Sequence, residues 1–322
     1  ALRSGFKSRK IVFSGVGKKE DEIDYALKSG ILMINVESFE EMKAVEKIAR
    51  RTKRKAPVSV RINPNVEPHT HKFVSTGTIG SKFGVGVKDA YALYKYAFNS
   101  AYLAPIGIHF HLGSQLRSAG VYEAALKVIS NIIFKLNAVN IHLNYIDIGG
   151  GWGVDERGCM MNLKPLAGVV KKYMQKFRTA KFILEPGRSL TAGAGILVSR
   201  VLYRKNNGFK WFIICDAGMN DLVRPALYQA KYEICFPAAK NRAPKIKADI
   251  VGPVCESADF LVRGARIALP EQGDIFYLAS AGAYGFSMSS RYNLRPRPAE
   301  AMIMKNGRVK LVRKRETLSD LL

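Results

Sequence analysis

The strongest constraint on this chain is a repeated pattern of apolar, β-branched runs that close in glycine or polar residues and alternate with helix-like segments. The runs cover residues 11–13, 31–36, 58–62, 106–110, 145–148 and 182–184. Segments 19–27, 38–50, 90–99, 121–136 and 163–177 lie between them and carry the apolar spacing of helices. The runs are continuously apolar, as strands are when both faces of a parallel sheet are covered. Each ends in the kind of sequence that builds a site where βα loops leave a barrel. From Ser189 onward, short runs at 195–203, 211–215, 248–251, 274–279 and 309–312 are punctuated by Gly, Pro and Asn, which predicts a mainly antiparallel β domain. The predicted fold class is α/β: a (β/α)8-type barrel domain over 1–193, then a β domain over 194–322, with the boundary in TAGAG near Gly193. A barrel closes with eight strands, and two βα units, on the order of 60 residues, are then unaccounted for. The chain is expected to begin inside its barrel, leaving an N-terminally incomplete sheet of about six strands.

The 48% hydrophobic content suits a packed core. No apolar stretch is long enough to span a membrane, and ALRSGFKSRK at the start lacks the apolar centre of a signal peptide. Cys159, Cys215, Cys235 and Cys255 show neither close pairing nor metal-ligand spacing, so a reducing cytoplasm is expected. Lys and Arg number 51 against 26 Asp and Glu, a net charge of +25. That charge raises a nucleic-acid reading, but it is spread in small groups such as 50–55 and 313–315, without zinc-finger or RNP-like patterns. A solvated basic surface is expected instead, one that draws in anionic ligands.

Several strand ends carry chemistry. YIDIGGGWG places Gly149, Gly150 and Gly151 where consecutive amides can face an anion; it also reads as a plain strand-to-helix turn. FHLGSQ offers His111, with His109 on the same side of the strand and read as structural. In EPGR, Glu185 ends an apolar strand, where an unpaired carboxylate is costly; a salt bridge to Arg61 is one reading. His69 and His71 have metal-like spacing but no third ligand, and no metal is expected.

The order of IVFSGVGK, SKFGV, FHLGSQ, YIDIGGGWG, EPGR, VRPALY, GPVCESAD, AGAYGFSMSS, RPRPAE and RKRET resembles the alanine-racemase-like (fold III) pyridoxal-phosphate decarboxylases, and among them the diaminopimelate decarboxylases, over essentially the whole chain. The resemblance implies pyridoxal 5'-phosphate as cofactor, with His111 stacked on its ring, Ser114 and the Gly149–Gly151 run at its phosphate, and Glu185 at its pyridine nitrogen. Pro186 and Gly187 let the chain approach the phosphate, while Arg188 meets phosphate or a substrate carboxylate and Tyr284 touches both phosphate and substrate. Arg224 and Tyr228 would bind the distal carboxylate of meso-diaminopimelate. Cys255, a candidate proton donor, and Glu256, a holder of the distal ammonium, would enter the site of a partner subunit in a homodimer. The implied reaction yields L-lysine and carbon dioxide, the last step of lysine biosynthesis. The family's cofactor-bearing lysine, in a Tyr-Ala-x-Lys-Ala-Asn-like motif, has no counterpart in this sequence, and Lys82 is not expected to replace it; turnover without it should be severely impaired. The alternatives are a related fold III decarboxylase of another basic amino acid, and a non-catalytic basic binding protein on the same scaffold.

Overall fold

A computed structural model describes residues 1–67, 77, 80–237 and 245–322. His69 and His71 lie outside the described residues. Contacts divide the chain into two units: residues 1–153 with 161–187, and residues 154–160 with 188–322.

The first unit runs β1 (Val12–Phe13), α1 (Glu20–Ser29), β2 (Met33–Val36), α2 (Phe39–Arg51), β3 (Ala56–Arg61), α3 (Val87–Asn99), β4 (Leu103–His109), α4 (Ala119–Asn137), β5 (Tyr145–Asp147), α5 (Lys164–Lys176) and β6 (Lys181–Ile183). All five strand pairings are parallel and follow chain order, giving a six-stranded half-barrel. Local chemistry sets the turns. Gly30 ends α1 in the left-handed region at φ 65°, and the Ser38 side chain accepts from the Glu41 amide at 3.1 Å to start α2. Met42, Val45 and Ile48 share one face of α2 and are fully buried in one core with Val36, Val58, Val60, Ile108 and Ile146 from the strands. Each such side chain contributes about 2 kcal/mol by leaving water, so the sheet's inward positions tolerate no charge except where a partner waits.

The second unit contains α6 (Arg188–Thr191), β7 (Leu197–Asn206), β8 (Trp211–Cys215), α7 (Arg224–Tyr228), β9 (Ile234–Cys235), β10 (Lys245–Val251), β11 (Phe260–Ala268), β12 (Ile275–Leu278), β13 (Glu300–Ile303) and β14 (Val309–Arg313). Its main sheet has the order β11-β10-β8-β7-β12-β9 and is antiparallel except where β8 and β10 run parallel; β13 and β14 form a separate hairpin. Strands β9, β11 and β13 have no counterpart in the sequence expectation. The contact boundary falls between Gly187 and Arg188, earlier than the TAGAG position expected from the sequence, because the 188–195 segment packs inside the second unit. Ala192 is buried with Val154 and Ala283, and an added Cβ at Gly158 would meet Gly193 Cα at 2.6 Å. Among the described residues, all four cysteines are free thiols and no helix is long and apolar enough to cross a membrane.

Candidate active site

Strand register in the first unit lines up polar groups at the carboxyl ends of neighbouring strands. Arg61 on β3 pairs with His109 on β4, and His109 pairs with Asp147 on β5; all three side chains are buried. Beside them, Glu37 follows β2 and receives Arg61 Nη1 at 3.0 Å. Arg61 is therefore committed to Glu37, and the salt bridge to Glu185 considered from the sequence does not form. The second Glu37 carboxylate oxygen accepts the Gly84 amide at 3.0 Å, and the Arg61 guanidinium lies 4.6 Å over the Phe83 ring, so this ion pair anchors the SKFGV loop. A second buried pair stands next to it. Lys18 donates to Gly15 O at 2.5 Å, Asn35 O at 2.7 Å and Glu41 Oε1 at 2.6 Å, fixing the loop that carries Ser14.

Glu185 lies just past β6. Its Oε1 accepts from Ser14 Oγ at 3.2 Å, while Ser14 Oγ accepts from Asn35 Nδ2 at 2.9 Å. Its Oε2 is 3.6 Å from His109 Nε2. Burial works against its charge, yet the His109 and His111 rings and Ser14 outweigh burial and hold the carboxyl down at about 2. Asp147 goes the other way: burial, reinforced by the Glu185 charge, pushes it up to about 6 against the pull of His109 and the Gly149 amide. Burial, and then the Arg61 charge, lower His111 to about 4, so its imidazole is neutral near pH 7. The Gly150 amide donates to His111 Nδ1 at 3.1 Å, which makes Nδ1 the acceptor and leaves the ring hydrogen on Nε2.

The glycine run has a packing cause that its own sequence does not show. The Gly149 amide donates to Asp147 Oδ1 and the Gly150 amide to His111 Nδ1, so these two amides are already committed. Glycine is required because neighbouring loops press in. A Cβ at Gly149, where φ is +65°, would lie 2.6 Å from Phe110 O; at Gly150 it would run into the Glu185 carbonyl, and at Gly151 into that of Gly113. The run thus locks the loops after β4, β5 and β6 together, placing His111 and Glu185 in one cluster. Ser114 is half-buried on the loop after β4; Pro186 and Gly187 are exposed.

In the second unit Arg188 and Arg224 are both buried. The Arg224 guanidinium stacks 4.9 Å from the Tyr228 ring and 5.8 Å from the Tyr284 ring, and Arg188 lies 4.9 Å from Tyr284. Tyr232 is buried alongside, and although burial pushes its hydroxyl up, the Arg224 charge pulls the other way. Among the described residues no carboxylate forms a salt bridge with Arg224, and its Nε has no hydrogen-bond partner. A buried guanidinium beside tyrosine rings, without a carboxylate, has the chemistry to take an anion. Elsewhere in this unit, the Asp259 carboxylate accepts the Met219 amide at one oxygen and the Val254 amide at the other, each at 2.6 Å. It ties the 252–259 loop to the segment leading into Arg224, with Cys255 and Glu256 exposed at the tip and Tyr292 Oη donating to Glu256 Oε2 at 3.5 Å.

Ser14, Asn35, Asp147, Tyr232 and Asp259 have no place in the sequence reading, and His109 is read there only as structural. For Asp147 a signal was present, a carboxylate inside an apolar strand; Ser14 and Asn35 carry none without the register. Several buried polar atoms beside Glu185 have no hydrogen-bond partner, namely both His109 ring nitrogens, Asp147 Oδ2 and Asn35 Oδ1. Together with an ionised carboxylate and a flat neutral imidazole, they fit a polar, planar, protonated heteroaromatic ring such as that of pyridoxal phosphate.

Comparison with known proteins agrees with this chemistry. Residues 1–192 match the family described as pyridoxal-dependent decarboxylase, pyridoxal binding domain. The diaminopimelate decarboxylase of Aquifex aeolicus is 43% identical over 318 residues, covering 98% of this chain and 75% of that protein. The crystal structure of diaminopimelate decarboxylase from Helicobacter pylori complexed with L-lysine is 43% identical and superposes with a TM-score of 0.93, covering 99% of this chain and 79% of that one. Lysine decarboxylase from Selenomonas ruminantium is more distant, at 25% identity and a TM-score of 0.77. A half-barrel with an ionised carboxylate and a neutral imidazole at its strand ends, matched at this identity over nearly its whole length, places the chain in the diaminopimelate decarboxylase family of pyridoxal-dependent decarboxylases.

Proposed function

We propose that this protein, when joined to the family's cofactor-bearing lysine that its own sequence does not supply, releases carbon dioxide from meso-2,6-diaminopimelate to give L-lysine, closing lysine biosynthesis in a reducing cytoplasm. The observation that carries the substrate choice is the buried Arg224, stacked on Tyr228 and Tyr284 beside the buried Tyr232, with no carboxylate of its own among the described residues. Such a guanidinium suits a second carboxylate on the substrate, which ornithine and lysine lack.

Bound pyridoxal phosphate supplies an electron sink for the pair left behind when carbon dioxide departs. The residues of this chain prepare it. Glu185, ionised, keeps a proton on the ring nitrogen, and the neutral His111 imidazole covers the ring face. The Ser114 hydroxyl and the backbone of Gly151, Pro186 and Gly187 come close to the phosphate, on loops that Gly149 and Gly150 lock in place. Arg188 and Tyr284 serve the phosphate and the substrate's reacting end. Arg224 and Tyr228 bind the distal carboxylate, Glu256 binds the distal ammonium, and the Cys255 thiol returns a proton to the reacting carbon. The exposure of Cys255 and Glu256 on one loop supports their use by a second copy, so the working form is a homodimer with two shared sites.

The test is carbon dioxide release from meso-diaminopimelate, ornithine and arginine by this chain and by a chimera that adds the portion of a relative lying outside the match. Diaminopimelate should be preferred by the chimera, and Glu256→Ala should weaken diaminopimelate binding more than cofactor binding. Preference for ornithine or arginine, or full activity as a monomer, would sink the assignment.

A further inference from the structure

The charged groups at the strand ends of the first unit balance in pairs with one exception. Lys18 meets Glu41, and Arg61 meets Glu37. That leaves two carboxylates, the buried Asp147 and the part-exposed Glu185, with the buried His109 between them. One ligand-capable atom from each of His109, Asp147 and Glu185 lies within 4.8 Å of the others. His109 is 1% exposed, and neither of its ring nitrogens has a hydrogen-bond partner within ordinary distance. A ring with two unpartnered nitrogens is a poor choice for mere filling, since an apolar side chain would fit at lower desolvation cost.

We propose that His109 is a positioning residue for Glu185, its Nε2 directed at Oε2 so that the carboxylate stays ionised and aimed into the strand-end site. Strand register places it there: Arg61 on β3 and Asp147 on β5 flank His109 in the sheet, and Glu185 follows β6. The groups facing it are Arg61 from β3, His111 beyond β4, Asp147 from β5 and Glu185 beyond β6. Arg61 is neutralised by Glu37, so the two remaining carboxylates dominate the field at the imidazole. His111 turns its Nδ1 to the Gly150 amide. Ser14 hydrogen-bonds Glu185 Oε1, so Oε2 is left facing His109 Nε2 at 3.6 Å. The functional consequence rests on the reading of Glu185 as the partner of the cofactor's ring nitrogen.

The test separates the two ideas. The Glu185 side-chain carboxyl is titrated by carbon-13 NMR in the chain without added cofactor, its resonance assigned with Glu185→Gln. In the unchanged protein it should remain ionised down to about pH 2. His109→Leu should raise the midpoint by about two pH units or more, because burial is then opposed only by weaker contacts. His109→Gln, whose side-chain amide can take the Nε2 place, should restore most of the shift. An unchanged Glu185 midpoint in His109→Leu overturns the proposal. If that variant does not fold, His109→Gln and His109→Asn decide: a near-normal midpoint in the first and a raised one in the second support it, and equal midpoints overturn it. Pyridoxal phosphate affinity is measured in parallel by equilibrium dialysis, with about a 10-fold loss expected for His109→Leu. A moved midpoint with unchanged affinity leaves the His109 assignment standing and removes the ring-nitrogen reading.

Discussion

The two units build their polar clusters by different means. In the first, functional groups sit at the ends of hydrogen-bonded parallel strands, so sheet register fixes their spacing and backbone packing against Gly149, Gly150 and Gly151 fixes the loops. In the second, Arg224 starts a five-residue helix and Cys255 and Glu256 sit on a loop, both held through the carboxylate of Asp259. A register-built cluster is stiff and fails all at once. A loop built on one anchor can be loosened by a single side chain while the sheet beneath it survives.

Four substitutions probe that contrast. The largest effect is expected at Gly150→Ala in the first unit, whose methyl would enter the space of the Glu185 carbonyl. The obstacle is backbone that cannot swing aside, so the loss should be about 3 kcal/mol or more in urea unfolding; a loss below 1 kcal/mol would show that these loops are not locked. Next comes Asp259→Ala in the second unit, which orphans the Met219 and Val254 amides. A loss of about 2–3 kcal/mol is expected, together with faster proteolysis inside 252–259 and unchanged protection of β8 and β10. Loss of protection throughout the sheet would contradict a loop held by one anchor.

Third, Arg224→Ala should weaken meso-diaminopimelate binding about 10- to 100-fold, as removal of a charge-assisted contact does, without lowering stability. Calorimetry with lysine as control reads the difference, since lysine has no distal carboxylate to lose. The smallest effect is a change in slope. Asp147 is raised in the folded state, so between its ordinary value of 3.8 and about 6 the folded protein holds a proton that the unfolded chain has released, and stability falls as pH rises. His111 is lowered from 6.5 to about 4, so over the same window the unfolded chain holds the extra proton and stability rises with pH. The two slopes oppose each other. Asp147→Asn should expose the rising one, adding up to about 1.4 kcal/mol per pH unit between pH 4 and 6. Parallel stability curves for variant and parent would break the argument.

Legibility follows the same division. The six parallel strands were readable because each is short, apolar and bounded by turn residues. Strand β11, FLVRGARIA, was missed because arginines and a glycine interrupt its alternation; it is held by pairing with β10. Strand β9 has two residues, too few for any periodicity. Within the site, the grouping of His111, the glycine run and Glu185 could be drawn from motif order. The reason for the glycines could not, since their own residues do not reveal that the Phe110, Gly113 and Glu185 carbonyls come close.

The sequence by itself determined the alternation of strand and helix, the change of pattern after Ser189, and the residue types available at each strand end, because these depend on periodicity and local backbone preference. Tertiary structure alone decided who meets whom. It gave Arg61 to Glu37, set His109 between Arg61 and Asp147, and left Arg224 among tyrosines without a carboxylate among the described residues. The physical reason is that a buried charge takes its state from neighbours within a few ångströms, and those neighbours come from strands far apart in the chain whose register no single segment encodes.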